Sequence, residues 1–314
     1  MKNLNNLPTD LLLDIIIHTP IDSILDCKLV CRSWRDLVSH HPSFSQLHLS
    51  RLNSSTDSGK TSSFIVKSRN QQLHYFEYND ETVNHSLRRF NLTLPFTSEY
   101  MVIGSFNGIV CLYKSDHTSL ICNPVTRNYV VLPKFKGGCG EYVYCSSGFG
   151  YLPLTNQYKV VVLYKLRREP SFIEVAVYTL GSGKGWRNVW RSGFPFRLCY
   201  NETGVYANGA LHWKENDEKG RVLVFDLTEE KFRQCLSPPP APPKPEEGMR
   251  LNYFIGQLGG VLYCSIYYFM SDIHSDIWLL NEKEDIGDMK DQVEHEPLAW
   301  SKLFFCPGKE PLAS

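Results

Sequence analysis

The chain lacks a long hydrophobic run. Its most apolar stretch, Leu11 to Ile17 within "LPTDLLLDIIIHTP", is interrupted by Asp14 and bounded by Asp10 and His18. A membrane-spanning helix needs about 18–20 apolar residues in succession, so this stretch does not make one. It is not a secretory signal either. Lys2 is the only early base, and no small-residue cleavage site follows. The expectation is a soluble, intracellular chain, cytoplasmic, nuclear or both, with no membrane partner.

A surplus of either charge is also missing, with 33 Lys and Arg against 33 Asp and Glu. Phosphate backbones are bound by basic surfaces, so no nucleic-acid partner is expected. Paired cysteine motifs are absent. The ten cysteines stand at 27, 31, 111, 122, 139, 145, 199, 235, 264 and 306, with no CxxC among them. They read as reduced thiols packed as small apolar residues, and zinc is not expected. Asn91-Leu-Thr and Asn201-Glu-Thr match the glycosylation sequon, which is idle in a chain that is not secreted.

Catalytic signatures are incomplete. "TLGSGKGW", Thr179 to Trp186, has Thr179 where a phosphate-binding loop needs glycine and Gly185 where it needs Ser or Thr. A hairpin turn is the reading adopted. Asp272, His274 and Asp276 alternate along a strand and share a face, but no fourth metal ligand is indicated. No cofactor is expected. Cys31 has no locatable base, and packing already accounts for it. "SPPPAPPKPEE", Ser237 to Glu247, reads as an extended loop between strands.

What is present divides in two. From Leu7 to Leu49 the periodicity is helical. Pro8 suits a first helical turn, Asp10 favours a helix N-terminus, and apolar residues recur at 11, 12, 15 and 16. Thr19-Pro20 ends that helix. A second helical pattern starts at Asp22 or Ser23, with Ile24, Leu25, Leu29 and Val30 as its apolar stripe. Trp34, Leu37 and Val38 continue it, and His40-His41-Pro42 closes it. Forty residues of helix carry more apolar side chains than so small a core can cover. The excess is either packed on the following domain or kept for another protein.

Beyond the polar "SRLNSSTDSGKTSS" the pattern changes to short β-like runs rich in Val, Ile, Tyr, Phe and Trp, separated by Gly, Pro and Asn. A repeat runs through them. Glycine turns precede Gly108-Ile-Val-Cys, Gly209-Ala-Leu-His-Trp213 and Gly260-Val-Leu-Tyr-Cys264. Apolar strands then end at Asn123, Asp226 and Asn281, with Val175 to Thr179 as a fourth. The steps between Asn123, Thr179, Asp226 and Asn281 are 56, 47 and 55 residues. A period near 50 with several strands per unit belongs to propeller blades.

These residues carry a resemblance. Leu7-Pro8, Asp10, Leu11, Pro20, Val30-Cys31-Arg32-Ser33-Trp34 and Pro42-x-Phe44 resemble an F-box. His18, Thr19 and Cys27 depart from its pattern, standing where Arg, Leu and an aromatic are usual. The "Gly-x-Leu-x-Trp" and "hhhhDxT" repeats resemble the plant F-box-associated domain, a relative of kelch propellers. The fold expected is therefore α+β and multidomain. A three-helix F-box over 1–49 is followed by a linker over 50–63, an all-β propeller-like domain over 64–305 and a tail over 306–314. About five repeat units fit, and whether the last blade is complete stays open.

The resemblance implies docking on a Skp1-type adaptor and, through it, a cullin. Leu7, Pro8, Leu11, Ile15, Ile16, Pro20, Val30 and Trp34 would make that contact or support it, Trp34 being open between contact and core. The β domain would bind an unidentified target protein, through side chains such as Tyr144, Trp213, Tyr267 and Tyr268 unless these are blade core. No catalytic residue and no cofactor are implied. Two rival readings remain: a propeller glycosidase, which needs a carboxylate pair in a cleft, and a stand-alone protein- or glycan-binding propeller with a helical cap.

Overall fold

The computed structural model describes residues 7–19, 21–56, 62–67, 73–78, 87–89, 100–114, 118–124, 128–135, 142–193, 202–215, 220–240, 250–269, 273–282 and 298–306. By contact density the chain divides into two compact units. One holds residues 1–101 with 107–110 and 120–130, the other residues 102–106, 111–119 and 131–314.

Four helices open the first unit: α1 (Thr9–Ile17), α2 (Ile21–Val30), α3 (Arg32–His40) and α4 (Phe44–Thr56). The sequence pattern implied three. The second helical pattern is broken at Cys31, whose extended backbone (φ −161°, ψ 173°) precedes α3. A further helix, α4, runs on through Thr56, past Ser50 where the polar stretch begins. It is held from its inward side. Phe44 is buried and stacks on His48, with ring centroids 5.7 Å apart. Arg51 Nη1 donates to Ile17 O at 3.0 Å, and His48 Nε2 to Thr19 O at 3.5 Å. The last carbonyls of a helix have no partner within it, so α4 satisfies what the end of α1 leaves open.

The helical core is Leu12, Ile16, Ile24, Cys27, Leu37, Val38 and Phe44, with Leu13, Ile17 and Trp34 packed against it. On α2 the inward pair is therefore Ile24 and Cys27, three residues apart. Leu29, placed in that helix's apolar stripe by sequence, is 77% exposed.

The remaining elements are strands: β1 (Ser62–Lys67), β2 (Leu73–Tyr78), β3 (Leu87–Arg89), β4 (Tyr100–Phe106), β5 (Ile109–Lys114), β6 (Ser119–Asn123), β7 (Asn128–Val131), β8 (Tyr142–Leu152), β9 (Gln157–Leu166), β10 (Glu169–Thr179), β11 (Trp186–Ser192), β12 (Thr203–Ala207), β13 (Ala210–Lys214), β14 (Val222–Asp226), β15 (Lys231–Phe232), β16 (Arg250–Leu258), β17 (Val261–Phe269), β18 (Ile273–Glu282) and β19 (Leu298–Cys306). They form sheets ordered β1-β2-β3, β4-β5-β6-β7, β11-β10-β9-β8-β12-β13-β14-β15 and β16-β17-β18-β19. The eight-stranded sheet is two four-stranded repeats joined by parallel pairing of their first strands, Thr203 opposite Ser147 and Gly204 opposite Gly148. The repeat residues Asn123, Thr179, Asp226 and Asn281 all fall at or next to the end of the third strand of their unit. The sequence period is thus the blade period, and the fold is propeller-like.

The glycine turns explain the repeat locally. Asn107-Gly108, Asn208-Gly209 and Gly259-Gly260 join the first strand of a unit to its second. Both residues of each pair have positive φ, from 49° to 87°. That is the turn whose twist matches a right-handed hairpin, and Asn and Gly tolerate it at least cost. Between the two repeats of the large sheet the faces interlock. Val161, Leu163, Ile173, Val175 and Val177 meet Leu211, Trp213, Leu223, Phe225 and Leu227 in one cluster.

Candidate functional site: an exposed apolar helical face

Leu11 and Ile15 stand four residues apart and share one face of α1, and Leu7 precedes the N-cap residue Pro8. Leu11 is 54% exposed and Ile15 45%. Leu12 and Ile16, one position on, are buried and anchor the same helix to the core. Pro8 is exposed at the N-cap, and its carbonyl accepts the Leu12 amide at 3.0 Å. Its missing N–H costs nothing there, because the first amides of a helix have no partner anyway.

The other sequence candidates divide. Ile16 is fully buried, so it supports the face from beneath. Trp34 is half-buried against the core, and its Nε1 is buried without a hydrogen-bond partner among the described residues. Val30 is exposed at the C-terminal end of α2 beside Leu29. Pro20 lies outside the described residues. Leu29, which the sequence placed in the apolar stripe of the second helical pattern but not among the candidate contacts, is exposed as well.

Two of the three departures from the F-box pattern, His18 and Thr19, have local partners. His18 Nδ1 donates to Asp14 O at 2.6 Å, and Thr19 Oγ1 to Ile16 O at 2.7 Å. Both serve carbonyls in the last turn of α1, the work cationic and hydroxyl side chains do at helix ends. A shallow groove of about 400 Å³ runs beside this face, lined by Leu7, Leu12, Ser33, Asp36, Leu37 and His40 among others.

In the β region the aromatic candidates also divide. Trp213 and Tyr268 are buried core residues, whereas Tyr267 is exposed. The Tyr144 side chain lies outside the described residues. "TLGSGKGW" joins β10 to β11, with Gly181, Gly183 and Gly185 at φ +72°, +70° and +68° and Ser182 Oγ bonded to Thr179 O at 2.9 Å. It leads into a strand, so the helix N-terminus of a phosphate loop is missing. Asp276 is buried, paired with Lys302 Nζ at 2.8 Å, and accepts the Tyr268 hydroxyl at 3.0 Å. Asp272 lies outside the described residues. Among those residues no group of three or more His, Cys, Asp and Glu could hold a metal ion. Burial pushes the Cys122 thiol up to about 11 and the Cys264 thiol up to about 12, which suits packed thiols and not nucleophiles.

Two acidic residues of the large sheet region, Glu230 and Asp226, are tied into the fold by cations and backbone amides. Glu230, at φ +54°, takes Arg187 at 2.7 and 3.0 Å and the buried Lys159 at 2.9 Å. Burial would raise its carboxyl, but these two cations outweigh burial and hold it below the usual range. Asp226, the Asp of "VFDLT", accepts the Thr228 and Glu229 amides at 2.7 and 2.8 Å and pairs with Arg233. Its burial also acts upward, and the amide and Arg233 contacts overcome it. Asp226, at the repeat position held elsewhere by Asn123, Thr179 and Asn281, is therefore a turn cap.

Comparison with known proteins agrees with this arrangement. A family model described as F-box-like matches residues 4–50, and one described as F-box associated beta propeller domain matches residues 61–303. The F-box protein At3g07870 of Arabidopsis thaliana is 28% identical, over 88% of this chain and 69% of its own length. The F-box/kelch-repeat protein At3g23880 of the same plant is 26% identical, over 97% of this chain and 80% of its own. Among solved structures, an oligogalacturonate lyase in complex with manganese aligns at TM-score 0.41 and 12% identity, over 72% of this chain and 60% of that one. Likeness at that level carries no argument.

Proposed function

The chain belongs to the F-box proteins with an F-box associated beta propeller domain, and from that membership we propose that it is the substrate receptor of an SCF (Skp1–cullin–F-box) ubiquitin ligase. F-box domains in general bind Skp1-type adaptors, and proteins of this family are generally adaptors, not enzymes. The finer reading is that α1 presents Leu7, Pro8, Leu11 and Ile15 to the adaptor, with Val30 and Leu29 as further exposed contacts. The β domain holds a target protein, and the chemistry is done by other subunits. The receptor's contribution is proximity, since a bound target brings its lysines to the loaded conjugating enzyme at high effective concentration. The complex would work in the cytoplasm, the nucleus or both.

The observation that carries this reading is the separation of α1 into a buried stripe, Leu12 and Ile16, and an exposed apolar one, Leu11 and Ile15. An exposed stripe next to a filled core has no use in the helices' own packing. The test is titration of the purified full chain with a Skp1-type adaptor. Saturable one-to-one binding, lost in the Leu7→Ala/Pro8→Ala double variant with unchanged circular dichroism, is the expected result. Absence of binding by the full chain sinks the proposal.

A further inference from the structure

The loop that joins β10 to β11 differs from the other turns of the repeat. Left-handed backbone alternates along it. Gly181, Gly183 and Gly185 have φ of +72°, +70° and +68°, and Ser182 and Lys184 between them do not have positive φ. Alternation of this kind turns successive amides toward one side and makes a concave nest of donors that suits an anion. Two of the amides are used within the loop. Ser182 N donates to Thr179 O and Lys184 N to Ser182 Oγ, each at 3.3 Å, while Ser182 Oγ donates to Thr179 O at 2.9 Å. The amides of Gly181, Gly183 and Gly185 have no acceptor among the described residues. Nothing lies within 4 Å of a Cβ built at any of the three, so packing does not demand glycine there and the loop is open to solvent.

We propose that this loop binds the phosphate group of a phosphate monoester. The neighbouring repeat gives the contrast. There the turn between β14 and β15 is closed by an anion of the chain itself, since Asp226 accepts the Thr228 and Glu229 amides at 2.7 and 2.8 Å. Thr179 holds the equivalent place before the glycine loop and has no carboxylate, so the anion for these donors comes from outside the chain. Charge favours one. From Val175 to Gly193 the sequence carries Lys184, Arg187 and Arg191 and no acid. Lys184, between two of the glycines, is exposed, and no acid among the described residues pairs with it. Glu230 meets the strands at the base of the loop, but Arg187 and Lys159 take it up. Arg191 is occupied as well, by Glu169 and Glu174. Three free amides and one ammonium suit the oxygens of a phosphate dianion, and hydrogen bonds to such a group are charge-assisted. A magnesium nucleotide is a different case. Gly185 stands where a metal-holding Ser or Thr would follow the lysine, and β11 stands where a helix would begin. The loop is therefore matched to one phosphate group and not to a triphosphate with its metal. A phosphorylated side chain of another protein and a free phosphorylated small molecule carry the same group, and the test separates them.

The proposal does not rest on adaptor binding, and its test uses the full chain alone. Isotope labelling of glycine, followed by amide NMR, reports Gly181, Gly183 and Gly185 directly. Inorganic phosphate, titrated at constant ionic strength against chloride, is expected to shift these three amides saturably. A short glycine peptide bearing phosphoserine is the second arm, with its unphosphorylated form as control. Tighter binding of the phosphopeptide assigns the group to a phosphorylated chain, and binding of inorganic phosphate at least as tight assigns it to small phosphorylated compounds. Lys184→Gln is expected to weaken binding by roughly five- to tenfold. Gly183→Ala, which disfavours the left-handed backbone, is expected to weaken it as well. Lys165→Gln, at the far end of β9, is expected to leave it unchanged. Circular dichroism of all three variants should match the parent. Loop glycines that move with neither phosphate nor phosphopeptide overturn the proposal. So do equal shifts from chloride or from the unphosphorylated peptide. Binding that survives both Lys184→Gln and Gly183→Ala overturns it too, as an adventitious ion only.

Discussion

Trp213 lies directly against the backbone of Gly204. A Cβ at position 204 would stand 2.6 Å from the indole Cε2 and 2.7 Å from Cζ2. Gly148, paired with Gly204 across the parallel junction of β8 and β12, leaves room for Leu211 in the same way, at 2.8 Å. The junction of two blades is therefore built on absent side chains. The large residues of the "Gly-x-Leu-x-Trp" repeat fill the space, and the price is a backbone position no other residue fits.

Gly204→Ala is expected to destabilise the β domain by about 1–3 kcal/mol through overpacking. Chemical denaturation followed by tryptophan fluorescence measures it. Gly209→Ala provides the contrast. Nothing lies within 4 Å of its Cβ, but φ is +73°, so its cost of about 1–2 kcal/mol is backbone strain alone. A Trp213→Leu background should relieve Gly204→Ala and leave Gly209→Ala unchanged.

Glu230→Ala leaves two cations facing each other, one of them the buried Lys159. Removing one partner of a buried ion group costs about 3–5 kcal/mol. The expected loss here is toward the lower figure, because Arg187 is partly exposed and keeps access to water. A fall in melting temperature of several degrees at pH 7 is the readout. Lys159→Met should cost less than Glu230→Ala, since it strands no charge. Equal losses would contradict the assignment.

His212 gives the fold an acid limit. Burial lowers its imidazole to about 4, while Nδ1 donates to Val205 O at 3.2 Å. Its ordinary value is 6.5, so the unfolded chain binds the extra proton first as pH falls. Stability is full above about pH 6.5 and declines between pH 6.5 and 4, by about 3 kcal/mol at the lower end. His48 in α4 shifts downward too, chiefly by burial, which adds to the same trend. His212→Asn keeps a donor toward Val205 and is expected to flatten the pH dependence of the denaturation midpoint in this window. An unchanged slope would count against it.

Ile16 and Leu11 separate support from contact. Ile16→Ala empties part of the helical core and should cost about 2–5 kcal/mol. Leu11→Asp, on the exposed stripe, should leave the melting temperature within a degree or two and abolish adaptor binding. Calorimetric titration with the adaptor, beside thermal melts of both variants, checks the pair. Loss of stability in Leu11→Asp would place that side chain inside the fold.

The sequence by itself determined the order of the chain: helices first, then strands in repeats of about fifty residues. Both are local signals. The 3.6-residue period, the Asn-Gly turns with their positive φ and the Asp226 cap act over a few residues, so they are legible without the fold. The F-box motif likewise named the α1 face through Leu7, Pro8, Leu11 and Ile15. Tertiary structure decided what depends on distant partners. Leu29 points out because Ile24 and Cys27 take the inward positions against α3. Ser50 to Thr56 stay helical because Phe44, His48 and Arg51 hold α4 to the end of α1. Trp213 and Tyr268, which composition alone allowed as contacts, are core, while Phe254 and Tyr267 stay open. Alternation along a strand says that two faces exist. Which of them is covered depends on a neighbouring sheet far away in the chain, and no local pattern records it.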